Sequence, residues 1–534
     1  MSDPSPAAAK RVAQILASVA LVAIAGLLVT IIAGLNGGAF TYTLDDPYIH
    51  LSVSEKIAAG GYGINFGEPS AASSSILYPL LLAPFAGTAW HHLVPLAINA
   101  AALVAFAWTL VEFLFHIGVG TLARRPLFIA LFAAAVALSF NLVGLVFSGM
   151  EHNLHVALAA LGVLGLAIFL REGRVAWWLV PVLIAAPLVR YEATLASLAG
   201  AAVLIARGAV RPGAVAAATV IAALAAFSAF LLASGLAPLP SSVLVKSSSA
   251  LSGAEGTLWP FVGSILINIS DAMSRKVGAI MIVAAVLAVY LALVTRRGAG
   301  RRDPTVPMAA YLAVTVAGHA MFGQFGWFHR YEIYALVVTF MAVLFLFRDP
   351  IAARLARQRG GVALLLVIAA AAFVTGKNYV YATLLEVPIA ANNIFEQQVQ
   401  MRRFVTEHYR NPVAANDVGL LTWGNPDYVL DLWGLGSEEA RKLRAARRDG
   451  EWMARLAAAR GIGLALVYED GYFKTPFPET WVRVGRLHLS RARVTPARSA
   501  VTFFATEPAE AERLRALLRA FAPTLPAGVA LDVL

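Results

Sequence analysis

Cysteine is absent from the 534-residue chain, which excludes disulfide bonds and thiolate metal sites. Charged side chains are also scarce: they make up 14% of the residues, whereas an average soluble domain has about 25%. Hydrophobic residues account for 59% of the chain, and the mean hydropathy is +0.72. No internal repeat is visible. This composition predicts a mainly α-helical protein that crosses a membrane several times.

The net charge of +11 is compatible with a nucleic-acid partner. The basic residues, however, lie in short loops between apolar runs, a pattern that is typical of membrane orientation. We therefore expect membrane lipids, and no nucleic acid, as partners.

About eleven spans are predicted, because a membrane-crossing helix needs about 20 apolar residues. They lie at approximately 12–36, 93–117, 127–148, 154–170, 175–189, 193–206, 213–235, 277–295, 306–325, 333–347 and 361–376. Segments 76–89 and 258–270 are too short for a full span. We expect segment 76–89 to lie in the membrane interface or to re-enter the membrane.

The basic residues predict the orientation of these spans. One set of loops contains sixteen of them and the opposite, longer set contains six. The sixteen are Lys10, Arg11, Arg124, Arg125, Arg171, Arg174, Arg207, Arg211, Arg296, Arg297, Arg301, Arg302, Arg348, Arg354, Arg357 and Arg359; the six are Lys56, Arg190, Lys246, Arg275, Lys276 and Arg330. The positive-inside rule then places the N-terminus in the cytoplasm. We expect a multi-pass protein of the bacterial inner membrane.

Two domains are predicted. Residues 1–376 form a transmembrane domain with a first outer loop at 37–92. Residues 377–534 carry more charge and form a soluble α/β domain on the periplasmic or extracellular side. Within it, "PVAAND", "IGLALVYED" and "SAVTFFATE" are typical of buried strands. Residues 437–461 are predicted to form an amphipathic helical stretch that ends at Gly461.

Two adjacent carboxylates, Asp45 and Asp46, follow the first span and are the catalytic candidates. Asp46 and Pro47 are typical of a helix start, with Asp46 as N-cap, and the helix should run to about Ala59. That explanation leaves Asp45 without a structural role. A carboxylate beside a second one, in a region of reduced dielectric, retains a proton more readily, which suits a general base.

Cations at outer helix ends are candidates for binding a phosphate. Lys246 lies in "LPSSVLVKSSS", and His329 and Arg330 lie in "GWFHRYEIYA". Negative charge grows on a phosphodiester leaving group in the transition state, so such a site needs fixed positive charge. We expect Lys246, Arg330, His329 and Arg190 to fill this role; the alternative for Lys246 and Arg330 is contact with lipid headgroups.

Substrate-binding candidates lie at the same helix ends. They are Glu151 in "SGMEHNLH", Glu192 in "LVRYEATL", Tyr48 and Tyr331. Glu151 is alternatively a helix cap, and Glu192 an ion-pair partner of Arg190. No cofactor is required by these motifs. A divalent cation held by Asp45, Glu151 and His152 is a further alternative.

The first outer loop, "LDDPYIHLSVSEKIAAGGYGINFGEPSAASSSILYPLLLAPF" (44–85), resembles that of GT-C glycosyltransferases, with an arabinofuranosyltransferase-like character. The Asp-Asp-x-Tyr-Ile start, Gly-x-Gly and Asn-x-Gly-Glu carry this resemblance. "VAANDVGLLTWGNPDYVLDLWGLGSEE" (413–439) resembles the start of the C-terminal outer domain of these enzymes. Here "AASSSILYP" replaces a Gly-Tyr-Thr-Ser type stretch, which leaves the acceptor contacts open.

The resemblance implies transfer of a sugar, such as arabinofuranose, from a polyprenyl-phosphate carrier to a hydroxyl of a cell-envelope glycan, lipid or protein. It also implies Asp45 as the base, with inversion at the anomeric carbon, and a contact between Lys246 and the lipid phosphate. Asp417 and Asp431 are expected to organise turns. The alternative function is a transporter or flippase of lipid-linked saccharides, which predicts charges within spans and repeat symmetry.

Overall fold

A computed structural model describes residues 5–122, 124–246, 258–295, 303–357, 359–446, 449–469, 471–473 and 475–534. The first two thirds are helical. The α-helices are α1 (Pro6–Leu35), α2 (Asp46–Ala58), α3 (Leu77–Leu82), α4 (Val94–His116), α5 (Pro126–Ser139), α6 (Leu142–Ser148), α7 (His152–Glu172), α8 (Leu179–Val189), α9 (Thr194–Ala206), α10 (Val210–Ala233), α11 (Ser241–Lys246), α12 (Leu258–Ser274), α13 (Lys276–Thr295), α14 (Thr305–Phe322), α15 (Ile333–Leu346) and α16 (Arg348–Leu355).

In the described ranges, seven helices are long and apolar enough to cross a membrane. Two bent pairs, α5–α6 and α15–α16, raise the number to nine if each pair is one span. The predictions of a mainly helical protein with several apolar helices and a C-terminal sheet are confirmed. The predicted spans at 175–189 and 193–206 correspond to the shorter helices α8 and α9, which are separated by Arg190 and a short 3-10 helix at Tyr191–Ala193.

A continuous helix that includes the 50 residues Gly360–Tyr409 links the helical region to the C-terminal domain. It begins with α17 (Arg359–Tyr381) and includes α18 (Val387–Ile394) and α19 (Gln400–Arg403), with π-helical turns between and after them, and it ends at Tyr409. The predicted domain boundary at Gly376 falls inside this helix. A Cβ atom at Gly376 would lie 1.6 Å from the Ser139 carbonyl oxygen, so this glycine allows a close contact between the long helix and α5.

The C-terminal domain is built on a six-stranded mixed sheet with the order β2-β1-β3-β5-β4-β6. Its strands are β1 (Val413–Ala415), β2 (Val429–Asp431), β3 (Leu464–Val467), β4 (Val482–His488), β5 (Ala500–Ala505) and β6 (Ala530–Val533). β1 is parallel to both β2 and β3, and the other pairings are antiparallel. The three predicted strands are β1, β3 and β5.

Four further helices complete this domain: α20 (Gly419–Thr422), α21 (Glu438–Ala446), α22 (Glu451–Ala459) and α23 (Ala511–Phe521). The amphipathic stretch predicted at 437–461 is therefore two helices, and Gly450 lies between them as the N-cap residue of α22. Gly461 has φ +62°. This left-handed conformation suits glycine just past a helix end, as the sequence predicts.

Alternating side chains of the sheet enter two separate cores, as the two-residue period of a strand requires. Leu464 and Leu466 of β3 pack on one face together with the end of the long helix and α23. Ala465 and Val467 pack on the other face with α22. The first of these cores also contains side chains of α2, such as Ile49 and Val53. The first loop is therefore packed on the C-terminal domain.

Candidate functional site

A cavity of about 970 Å³ lies where the helical region meets the C-terminal domain. The first loop contributes Asp45 and Asp46 to its wall, and the segment before α15 contributes Arg330 and Tyr331. The C-terminal domain contributes Asp417. Residues more than 280 positions apart in the sequence thus share one chamber.

The two adjacent aspartates have different partners. α2 begins at Asp46, and Asp45 occupies the N-cap position without a side-chain capping bond, so the predicted N-cap position at Asp46 is wrong. The Asp45 carboxylate instead accepts hydrogen bonds from the backbone N–H groups of Gly419 (2.6 Å) and Leu420 (2.9 Å). Asp46 forms an ion pair with Arg330 at 2.6 Å.

The contact between Asp45 and α20 requires a glycine. A Cβ atom at Gly419 would lie 2.1 Å from the Asp45 carbonyl oxygen and 2.9 Å from its Oδ2. No side chain fits at that distance, so Gly419 allows the backbone of α20 to approach the carboxylate. Asp45 belongs to the first loop, and its carboxylate is fixed in position by the C-terminal domain.

Burial raises the pKa of Asp45 to about 8, and the nearby negative charge of Asp417 adds to this effect. The two backbone N–H donors act in the opposite direction, because they stabilise the ionised carboxylate. Burial likewise raises the pKa of Asp417. A base is most effective when its pKa lies near the working pH, and Asp45 meets that requirement.

Arg330 is a buried cation with unused hydrogen-bonding capacity. Its side chain is 1% exposed, and Nη2 donates to Asp46 and to the Tyr331 hydroxyl (3.0 Å). Among the described residues, its Nε and Nη1 have no hydrogen-bond partner. A buried guanidinium with unpaired N–H groups in a cavity wall favours an anion, and the planar guanidinium matches phosphate oxygens well.

The backbone before Arg330 adopts an unusual left-handed turn. Trp327, Phe328 and His329 have φ values of 42°, 61° and 53°, after Gly326 at 83°. Such values are uncommon for residues other than glycine, and strained segments of this kind occur at functional sites. The His329 ring packs against Tyr379 at 4.9 Å and is not among the residues that line the large cavity. The turn thus places Arg330, and not His329, in the wall of the large cavity.

A second group of buried charges adjoins the first. Arg190 donates to Glu151 (2.6 Å) and Glu192 (2.5 Å), and His50 lies 3.1 Å from the other oxygen of Glu151. Glu151 itself is 0% exposed. Two carboxylates already balance the charge of Arg190, which makes it a weaker phosphate ligand than Arg330. Glu151 has no side-chain capping bond to α7.

A smaller cavity of about 270 Å³ lies beside this group, and Arg330 and Tyr331 contribute to the walls of both cavities. Glu192 and His152 line the smaller one. Tyr331 stacks under the guanidinium groups of Arg330 (4.9 Å) and Arg190 (5.6 Å). The guanidinium groups of Arg330 and Arg190 therefore both contact the Tyr331 ring, which lies between the two groups of charges.

The remaining predicted residues are less central. Tyr48 is 4% exposed and packs among Tyr42 and Trp423, outside the walls of both cavities. The side chain of Lys246 lies outside the described residues, although its neighbour Val245 lines the large cavity. Within the described ranges, no three His, Asp or Glu side chains are grouped closely enough to hold a metal ion.

Asp417 is a site residue that sequence reasoning assigned to a turn. Its Oδ2 accepts hydrogen bonds from the Tyr468 hydroxyl (2.6 Å) and Gln398 (2.9 Å), and the side chain lines the large cavity. It follows the carboxyl end of β1, between two parallel neighbours, where ligands bind in parallel sheets. This position, just after a predicted buried strand, is the feature of the sequence that could have identified Asp417 as a site residue. Asp431 does organise a turn, because it accepts from the N–H groups of Trp433 and Gly436.

A match with a known protein family lies in the C-terminal part of the chain. Residues 392–504 match a domain of unknown function (DUF8728). The match includes β1 to most of β5 and the cavity residues Gln398 and Asp417. No curated protein matches the chain.

Proposed function

We propose that the protein is a membrane glycosyltransferase that moves a sugar from a polyprenyl-phosphate carrier to an acceptor hydroxyl. One observation carries this proposal: a single cavity is lined by a carboxylate of raised pKa, Asp45, and by a buried arginine, Arg330, whose Nε and Nη1 have no partner in the described part of the chain. These are the two groups that such a transfer needs, a base for the acceptor and a cation for the leaving phosphate.

The donor phosphate binds at Arg330 in this proposal. Two nitrogens of the guanidinium, Nε and Nη1, have no partner among the described residues and are available to its oxygens, while Nη2 stays with Asp46 and Tyr331. Positive charge fixed at this point stabilises the negative charge that develops on the leaving phosphate. The lipid tail lies between apolar helices, since the same wall includes Leu244, Val245 and Ile267.

Asp45 acts as the general base. The acceptor oxygen attacks the anomeric carbon from the face opposite the phosphate, the bond from that carbon to the phosphate oxygen breaks, and the acceptor proton passes to Asp45. The configuration at the anomeric carbon is inverted. Base catalysis contributes about 10²- to 10⁴-fold to the rate, and positioning and phosphate stabilisation supply much of the remainder.

The proposal includes a GT-C-like topology with about eleven spans, a cytoplasmic N-terminus and the cavity on the outer side of the membrane. It is supported by the meeting of residues that the loop charges assign to that side, Asp45, Glu151, Arg190 and Arg330. A lipid-linked donor suits this location, since the family resemblance implies that nucleotide sugars are absent there.

Turnover of a lipid-linked donor tests the proposal. Full-length protein in lipid nanodiscs is incubated with radiolabelled polyprenyl-phosphate pentoses and hexoses, and the released polyprenyl phosphate is measured. We expect release by the wild type and a loss of about 10²- to 10⁴-fold in Asp45→Asn with unchanged donor binding. Arg330→Gln, combined with Asp46→Asn to keep the pair neutral, should weaken donor binding instead.

The matched control is Asp349→Asn, at the far end of the helical region, where this carboxylate is 80% exposed. It should leave turnover unchanged. Movement of intact lipid-linked sugar across vesicle membranes, without cleavage of any donor, would favour the transporter alternative and contradict the proposal.

A further inference from the structure

The C-terminal half of the large cavity differs chemically from the half that contains Arg330. Five residues, Gln398, Asp417, Trp433, Tyr472 and Thr495, form what we call the domain wall. The basic side chains among the described wall residues are Arg275 and Arg330, and both come from the helical region. None of the five domain-wall residues is basic, and the described cations beside them, Arg444 and Arg498, pack on the Trp433 and Tyr472 rings.

Two buried polar atoms of the domain wall lack partners. Gln398 is 2% exposed; its Nε2 is close to Asp417, Tyr468 and Gln397, but its Oε1 has no partner in the described structure. Thr495 is 7% exposed, and its hydroxyl is likewise without a partner among the described residues. Buried polar atoms are normally paired, so these two indicate a ligand with hydrogen-bond donors.

Asp417 adds a further acceptor. Its Oδ2 is used by Tyr468 and Gln398, whereas its Oδ1 has a single long contact of 3.5 Å to Asn416. Together, the amide oxygen, the hydroxyl and this carboxylate oxygen suit a ligand with several hydroxyl groups. A ligand with negative charge would be repelled by Asp417.

Aromatic rings complete the domain wall. The centroids of Trp433 and Tyr472 are 4.5 Å apart and their planes are tilted by 35°. The guanidinium of Arg444 packs 3.8 Å from the Trp433 ring centroid and helps to fix it. Rigid aromatic surface beside a few placed polar groups is typical of small-molecule sites, and the C–H faces of a sugar ring pack well on such rings.

We propose that the domain wall binds the acceptor and that the acceptor is a saccharide. This inference rests on the proposed function and adds the acceptor class to it. One saccharide hydroxyl faces Asp45, which takes its proton, while others bind Gln398, Asp417 and Thr495. A lipid alcohol would leave these acceptors unpaired, and their desolvation would then be uncompensated.

Binding of saccharides by the full-length protein tests the inference without requiring transfer. Protein in nanodiscs is applied to an array of defined oligosaccharides, and affinities are measured for the saccharides that bind. Thr495→Val removes a hydroxyl that has no hydrogen-bond partner in the described ranges, so the fold should be unaffected while affinity falls about three- to tenfold. Tyr472→Leu should also weaken binding.

Two control variants separate this role from a general structural one. Thr524→Val removes a hydroxyl that bonds to the Phe521 carbonyl, away from the cavity walls, and Tyr472→Phe keeps the ring. Both should bind like the wild type. Absence of saccharide binding by the wild type, or unchanged affinity in Thr495→Val and Tyr472→Leu, would overturn the inference.

The failure of the inference is distinguishable from that of the proposed function. Transfer of the labelled sugar to a lipid alcohol or a peptide hydroxyl, without saccharide binding, would refute the saccharide acceptor and leave the transferase intact. Saccharide binding without cleavage of any polyprenyl-phosphate donor would refute the transferase, and with it the acceptor role.

Discussion

Charged side chains are buried at one end of the helical region and partly exposed at the other. At the cavity end, Arg330 and Arg190 are buried and bonded to carboxylates that are at most 26% exposed. At the far end, Lys10 and Glu112 form a pair that is 27% and 41% exposed. α7 connects the two ends, and its 21 residues span about 30 Å, which matches the hydrocarbon thickness of a membrane.

Under the proposed function, this difference separates the charges that take part in the chemistry from those that do not. Burying an ion costs several kcal/mol unless partners and hydrogen bonds compensate, so a protein has little reason to bury several of them for stability alone. Exposed charges at the far end suit contact with water and lipid headgroups. The buried set, by contrast, surrounds two cavities, and Nε and Nη1 of Arg330 have no hydrogen-bond partner in the ranges that the structure describes.

The largest expected contrast between the ends is in stability. Glu151→Gln removes one of the two carboxylates that balance Arg190, and it should lower the free energy of unfolding by about 3 kcal/mol. Glu112→Gln breaks the exposed pair with Lys10 and should cost at most about 1 kcal/mol. Denaturant unfolding of both variants in the same detergent measures the difference. Equal losses would mean that the buried network has no special energetic role.

A smaller effect is expected in the pH dependence of the transfer rate. Asp45 must be ionised to accept a proton, so transfer should increase as the pH rises through about 8, the raised pKa of this carboxyl. Asp417→Asn removes a neighbouring negative charge, which lowers that pKa and moves the midpoint to lower pH. Rates are measured at saturating acceptor. Asp427→Asn, on the same domain but outside the cavity wall, should not move the midpoint.

A pH profile that falls through this range, or a midpoint that stays in place in Asp417→Asn, would contradict the assignment of Asp45. The first result would indicate that the protonated carboxyl is the active form. The second would mean that the two carboxylates do not interact.

Local pattern was sufficient to predict several elements of this fold. The buried strands β1, β3 and β5 follow from short apolar runs, and Gly461 marks a helix end because glycine tolerates positive φ. The loop charges also assigned Asp45 and Arg330 to one side of the membrane, and the two side chains line one cavity.

The features that the sequence did not predict depend on contacts between residues far apart in the chain. Asp46 is typical of an N-cap in sequence, but its pairing with Arg330, 284 positions away, determines its role. Asp417 is typical of a turn until Tyr468 and Gln398 are placed beside it. None of these partners is near in the sequence.

The side of the membrane on which the cavity opens is the most direct test of the account. Because the chain lacks cysteine, single cysteines can be introduced at Asp532, which is 63% exposed on the C-terminal domain, and at Arg174, which is 64% exposed at the far end. An impermeant maleimide should label Asp532→Cys in spheroplasts and Arg174→Cys only in inverted vesicles. Labelling of Asp532→Cys solely from the cytoplasmic side would contradict transfer from a lipid-linked donor at the outer face.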